Sequence, residues 1–219
     1  MIKRTLDIIL AAIGLTVLLP LIAAAAVAVR LDGPGPVLFR QIRVGRHGRP
    51  FSILKFRTMR PQPAGMDGGT PGQRVTRWGR LLRRTKLDEL PQLLNVLAGD
   101  MSIVGPRPEL PSYVELWSSA DRTLVLSARP GLTDLASIAY HREEQLLAGQ
   151  ANPEEHYRRV IVPRKLRLCR FYVRRAGVAL DLWLIGQTIA VLLGIPVRLG
   201  RLVPAPASEI GRTTGSAAA

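Results

Sequence analysis

Apolar positions crowd the start of the chain. Ile8 to Val29 runs 22 residues without a charge, IILAAIGLTVLLPLIAAAAVAV. As a straight helix that run would reach about 33 Å, enough to cross a bilayer core. Pro20 sits near its middle, removes a backbone hydrogen bond there and predicts a kink. After Gly33-Pro34-Gly35-Pro36 the pattern shortens to VLFRQIRV, then Gly45-Arg46-His47-Gly48, then PFSILKFRTM. Two β-rich runs around a Gly-bounded turn predict a hairpin. Residues 61–75 are Pro- and Gly-rich and read as a mobile loop.

From Trp78 to Leu97 the spacing turns helical, through Leu81, Leu82, Leu90, Leu93, Leu94 and Leu97. Pro91 is tolerated only in a first turn, so a helix should begin close to Asp88. A further helix is expected around Tyr113 to Ala128, and a basic amphipathic stretch over 154–175. Leu182–Ile195 is apolar but only 14 residues long, too short to span and suited to an interfacial or core helix. After Pro204 the tail reads as disordered. The pattern predicts a mainly helical α+β protein: an N-terminal apolar segment over 1–31, a body over 32–200 and a tail over 201–219.

Three readings of the N-terminal segment compete. A signal peptide would have the basic start, Lys3 and Arg4, but a shorter apolar run. A spanning anchor fits the length. A helix bent at Pro20 that enters and leaves by one leaflet fits the flanks, because Arg30, Arg40 and Arg43 make both ends positive and positive charge prefers the cytoplasmic side. The residues alone leave spanning and re-entry level; either way the chain is membrane-bound.

Composition adds a partner. The apolar content of 47% excludes disorder, and one cysteine, Cys169, excludes a disulfide framework. Cys169 lies in a helical pattern and reads as a small hydrophobe. The net charge is +15, carried by 27 Arg against 4 Lys. Arginine's rigid fork suits phosphate and carboxylate, so the partner is anionic: nucleic acid, an anionic lipid surface or a phosphorylated substrate. A compositional bias of the genome would produce part of the same excess. The block from Gly33 to Leu87 is strongly cationic, with Asp67 its one acid, and suits anionic membrane lipids.

The candidate chemistry is carboxylate chemistry beside arginines. There is no phosphate loop, no complete dinucleotide glycine motif and no His-Glu-x-x-His, and His47, His141 and His156 are isolated. Asp88-Glu89 follows Arg83 by five residues and opens DELPQLLNVL. A carboxylate pair at a positive helix start stands where phosphate oxygens are also stabilised. Asp88 as a plain N-cap remains the competing reading.

These motifs resemble a known family. Arg83, Asp88-Glu89-Leu90-Pro91-Gln92-Leu93, Asn95-Val96-Leu97, Gly99-Asp100-Met101-Ser102 and Val104-Gly105-Pro106-Arg107-Pro108 look like the bacterial sugar transferases, the monotopic phosphoglycosyl transferases. Gly35-Pro36, Phe39, Gln41, Arg43, Gly45, Gly48 and Lys55-Phe56-Arg57-Thr58-Met59 extend the resemblance, which runs almost continuously from residue 3 to about 110 and more weakly to about 195.

The resemblance implies transfer of a phosphosugar from a UDP-sugar to a polyprenol phosphate, such as undecaprenyl phosphate, with release of UMP. That is the first membrane step of exopolysaccharide, O-antigen or glycoprotein glycan assembly. It implies a re-entrant helix bent at Pro20 and a monotopic location on the cytoplasmic face of the bacterial inner membrane. It also implies Asp88 as nucleophile and Mg²⁺ ligand, with Glu89 completing the dyad. Lys55, Arg57, Arg83 and Arg107, the last between Pro106 and Pro108, are implied at the phosphates. Leu19 stands where many members have a serine, and Asp134 in PGLTDLASI departs from the commoner glycine, a subfamily difference able to alter sugar choice.

Two other classes compete. A nucleic-acid binder would use the net charge, but aromatics are only 5%, no recognition motif is present and the apolar segment demands a membrane, so no nucleic acid is expected. A non-catalytic, membrane-anchored basic scaffold would not require Asp88-Glu89 beside Arg83 and Arg107. The sugar, the glycan and the oligomeric state, a homo-oligomer included, stay open.

Overall fold

The computed structural model describes residues 2–60, 74–197 and 199. The expected loop at 61–75 lies outside these except for its last two residues, and the tail after Pro204 lies outside them entirely. The described chain is mainly helical α+β with two small two-stranded sheets. It divides into two units, Met1–Arg43 with Pro50–Ile103, and Val44–Arg49 with Val104–Ala219.

In the first unit, α1 (Ile2–Val17) and α2 (Leu19–Leu31) meet at Leu18 with a bend of 64°. Pro20 sits in the first turn of α2, where its missing N–H costs nothing to α2 but ends α1, as its position in the run predicts. The bend forms with Leu19 before the proline. No single helix among the described residues is long and apolar enough to cross a membrane; the two helices of the bent pair reach that length and apolar content only when taken together, as a broken span or a re-entrant loop would.

β1 (Leu38–Val44) and β2 (Pro50–Phe56) form the expected hairpin. α3 (Arg77–Thr85) starts under a Thr76 cap, with the Gly79 N–H donating to Thr76 Oγ1 at 3.0 Å. A side chain at position 79 would place its Cβ 2.1 Å from the Thr58 carbonyl oxygen, so only glycine lets α3 approach there. Ala25, Val29, Phe56 and Leu82 form the core of this region, with Val37 and Leu87 against them.

The leucine spacing from Trp78 to Leu97 does not make one helix. Lys86 takes a left-handed conformation, φ 58°, and closes α3; a 3₁₀ turn follows over Leu87–Glu89, then α4 (Gln92–Ala98). Pro91 stands at the cap of α4, which begins at Gln92, four residues after the start expected near Asp88. α1 packs along α4, and Gly14 lets it close on Leu93, whose Cδ1 would lie 3.3 Å from an added Cβ.

In the second unit, Gly45–Arg49 turns tightly, the Gly45 N–H donating to Arg49 O at 2.8 Å, with His47 and Gly48 at positive φ. β3 (Ser102–Val104) leads into this unit and pairs with β4 (Gly131–Thr133). The helix expected around Tyr113–Ala128 is two short ones, α5 (Pro111–Val114) and α6 (Ser119–Val125). Ser118 restarts the chain by accepting the Asp121 N–H at 3.1 Å. α7 (Leu135–Ala139), α8 (Glu143–Ala148) and α9 (Pro153–His156) lead through a π turn into α10 (Val162–Arg175), the expected basic amphipathic stretch.

The buried face of α10 packs Val162, Leu166 and Cys169 against Val114, Trp117 and Val125. α11 (Val178–Leu192) is the apolar helix anticipated at Leu182–Ile195, and it leaves Leu182, Ile189 and Leu192 exposed. Tyr172 ties it to α10, its hydroxyl lying 2.7 Å from Asp181 Oδ1 and 3.2 Å from Val104 O.

Candidate active site

The break between α3 and α4 sets the site. A left-handed residue, Lys86, and a proline five positions on, Pro91, leave a short turn, and that turn carries Asp88 and Glu89. Both carboxylates are nearly enclosed, at 8% and 9% exposure. Burying such groups is costly unless they are paired or hydrogen-bonded. Lys55 on β2 supplies charge, its Nζ 3.2 Å from Glu89 Oε1.

Asn95 holds β2 in register with this turn. Its Oδ1 accepts the Leu54 N–H at 3.0 Å and its Nδ2 donates to Ser52 O at 2.9 Å, so the side chain pairs with the strand as a neighbouring peptide would. Gln92, in the same helix, is fully buried, and its carboxamide finds no hydrogen-bond partner among the described residues. It stands one helical turn after Asp88.

Arg83 lies in the last turn of α3, half-buried and five residues before Asp88. Arg57 is nearly buried, and its guanidinium donates to Pro34 O at 2.6 Å, Gly33 O at 2.7 Å and Val29 O at 3.1 Å. It thereby caps the end of α2 and shapes the Gly33-Pro34 exit. Asp32 accepts the Trp78 N–H at 3.2 Å and joins the same exit to α3.

The apolar helices are tied to this region by two charged residues. Arg4 donates to Val96 O at 2.7 Å and Leu97 O at 3.0 Å, satisfying carbonyls at the end of α4. Asp7, 3% exposed inside α1, accepts from Ser102 Oγ and from the Ile103 N–H, each at 2.9 Å.

Arg107 lies in the second unit with Pro106 and Pro108. Both prolines are buried and the arginine is half-buried. Gly105 and Gly131 cross so closely that a Cβ on Gly131 would sit 2.1 Å from Gly105 N. The Gly105 N–H donates to Thr133 O and the Gly131 N–H to Pro106 O, both at 3.0 Å. The structure therefore joins Lys55 to Glu89 directly, places Asp88 and Arg83 in the same unit, engages Arg57 with carbonyls and puts Arg107 on a separately braced loop.

Sequence reasoning quoted Asn95 and Gln92 as motif residues without a role, and missed Asp7 and the second role of Arg4. Both carried a signal, two amides inside an otherwise apolar helix, and Asn95 is the one that finds its partners there. Asp7 carried less, since its partners are 95 and 96 positions away. Cys169 is the small hydrophobe expected; burial pushes its thiol well above the ordinary value, and the nearby Asp134 charge adds to that.

Fold and site together define a small α+β protein whose bent apolar helix pair packs against a helix led by two buried carboxylates. Residues 1–194 match the bacterial sugar transferase family, and the chain belongs to that family. Over 141 residues it is 48% identical to the UDP-glucose:undecaprenyl-phosphate glucose-1-phosphate transferase of Caulobacter vibrioides, covering 62% of this chain and 53% of that protein. It is 36% identical over 200 residues to the UDP-N-acetylgalactosamine-undecaprenyl-phosphate N-acetylgalactosaminephosphotransferase of Aeromonas hydrophila, covering 88% and 44%. Against the Escherichia coli UDP-glucose:undecaprenyl-phosphate glucose-1-phosphate transferase it is 42% identical over 149 residues, covering 66% and 32%. The matches thus span about half or less of each relative's length.

Proposed function

We propose that this protein is a phosphoglycosyl transferase that moves a phosphosugar from a UDP-sugar to a polyprenol phosphate, undecaprenyl phosphate in the first instance. It works at the cytoplasmic face of the bacterial inner membrane, with α1 and α2 entering and leaving by the same leaflet. The relatives' names supply the substrate classes. The observation that carries the reading is the buried Asp88-Glu89 pair with Lys55 on Glu89.

Asp88 acts as nucleophile. Its carboxylate oxygen attacks the phosphorus that bears the sugar; the bond from that phosphorus to the bridging oxygen breaks, and UMP leaves with the electron pair. A phosphate oxygen of the lipid then attacks the same phosphorus and frees the Asp88 carboxylate, giving a polyprenyl diphosphate sugar. One difficult exchange becomes two displacements. Lys55 holds Glu89, and Arg83 places positive charge near the transferring group. Arg107, rigid between two prolines, clamps a phosphate through its fork.

A divalent cation fits the donor set. Mg²⁺ is usually held by one or two carboxylates together with substrate phosphates and waters, not by a full protein cage. Two adjacent, nearly enclosed carboxylates match that donor set. Asp88 would hold it, with Glu89 beside it. Bound there, Mg²⁺ supplies charge neutralisation between carboxylate and diphosphate.

The test is a screen of UDP-sugars for UMP release in nanodiscs. Release that requires Mg²⁺ and increases with added polyprenol phosphate is the expected result. A protein that releases no UMP from any UDP-sugar contradicts the reading.

A further inference from the structure

We propose that Asp134 is a positioning residue for Arg107: a buried carboxylate that holds the arginine's backbone and so aims its side chain. The proposal rests on the reading of Arg107 as a phosphate clamp. Asp134 is 1% exposed, and a carboxylate so enclosed must be well satisfied.

Its two oxygens are divided between two jobs. Oδ1 accepts the Ser137 N–H at 2.7 Å and caps α7. Oδ2 accepts the Arg107 N–H at 3.2 Å. Cys169 on α10 approaches the same Oδ2, with Sγ at 3.9 Å, and its thiol is held protonated by burial.

The choice of donor is dictated by sequence. Pro106 and Pro108 have no backbone N–H, so Arg107 offers the one backbone donor in that triplet. Asp134 takes it. The opposite side of the loop is already set by the Gly131 N–H to Pro106 O bond. The Arg107 backbone is therefore held from both sides, and the half-buried guanidinium projects from a peptide that cannot rotate without breaking a bond to a buried charge. A hydrogen bond to a charged acceptor is among the stronger ones in a protein.

The competing role is a cap for α7 alone. Asp134→Ser separates the two, because serine caps as well as aspartate does but brings a single oxygen. Asp134→Asn likewise keeps one acceptor and turns an NH₂ toward Arg107.

Two readouts test the proposal on full-length protein in nanodiscs. The first is amide exchange by mass spectrometry over Gly105–Glu109, whose backbone N–H groups are only those of Gly105, Arg107 and Glu109. Both variants should exchange one amide at least about tenfold faster than wild type. The second is UMP release from a turned-over UDP-sugar, measured for each variant alone and with Arg107→Lys. Each Asp134 variant alone should lose about tenfold in kcat with little change in KM, and should cost less than about twofold more once Arg107 is already lysine.

Unchanged exchange at Gly105–Glu109 overturns the proposal. So does an equal loss in both Arg107 backgrounds, full turnover in Asp134→Ser, or failure of both variants to fold, which would make Asp134 purely structural. If Arg107→Lys alone keeps full turnover, the clamp is wrong and Asp134 cannot act through it. If wild type releases no UMP, the transferase reading fails by itself, and the exchange result still decides whether Asp134 holds the loop.

Discussion

Lys55 Nζ stands 3.2 Å from Glu89 Oε1, joining the second strand of the hairpin to the turn that carries Asp88. Both side chains are mostly enclosed, so the pair is weakly screened compared with an exposed one. Lys55→Met should lower UMP release at least about tenfold, and Lys55→Arg, which keeps the charge, should lose less. Equal turnover in wild type and Lys55→Met would show that the pair is dispensable.

Asn95 does for the same strand what a neighbouring peptide would do. Asn95→Ala strands the Leu54 N–H and the Ser52 carbonyl, at a cost of about 1–3 kcal/mol. Thermal unfolding should show a lower Tm for this variant. A Tm within error of wild type would mean that water replaces the amide at no cost.

Arg4 does two jobs that charge alone does not separate. In the proposed topology it is a positive flank; through its fork it caps α4 at Val96 and Leu97. Arg4→Lys keeps the flank and loses the bidentate cap, so orientation should hold while stability falls by about 1 kcal/mol. Asp7→Ala, which strands Ser102 Oγ and the Ile103 N–H, should cost more. Denaturant midpoints of the two variants make the comparison, and a larger loss for Arg4→Lys would reverse the ranking.

The proposed re-entrant topology rests on the bend at Pro20. Cysteines introduced near residues 3 and 32 should label from the same, cytoplasmic face, and Cys169 adds little background because it is buried. Pro20→Ala should straighten the 64° bend and move some molecules toward opposite-face labelling. Opposite-face labelling in the parent chain would establish a spanning helix instead.

Local signals were legible in the sequence, and long-range ones were not. The hairpin, the bend at Pro20 and the basic helix over 154–175 each follow from residues within a few positions, and each forms. Pro91 predicts a helix boundary near Asp88, but leucine periodicity does not reveal the left-handed Lys86 that closes α3. The turn at that break carries Asp88 and Glu89, both buried. Asp134 was visible as a departure from a pattern, but its bond to Arg107 spans 27 positions and needs the fold. Asp7 carries no local signal, because its partner Ser102 lies 95 positions away.

The covalent step is the centre of the account, and intact-mass spectrometry reaches it most directly. Wild-type protein given a turned-over UDP-sugar and Mg²⁺, with no lipid acceptor, should gain the mass of one phosphosugar and release about one UMP per active site. Peptide mapping should place the adduct on Asp88, and Asp88→Asn, folded but lacking the anionic oxygen, should form none. An adduct that persists in Asp88→Asn, or UMP that appears only when both substrates are present, would contradict the account and leave direct attack by the lipid phosphate as the reaction.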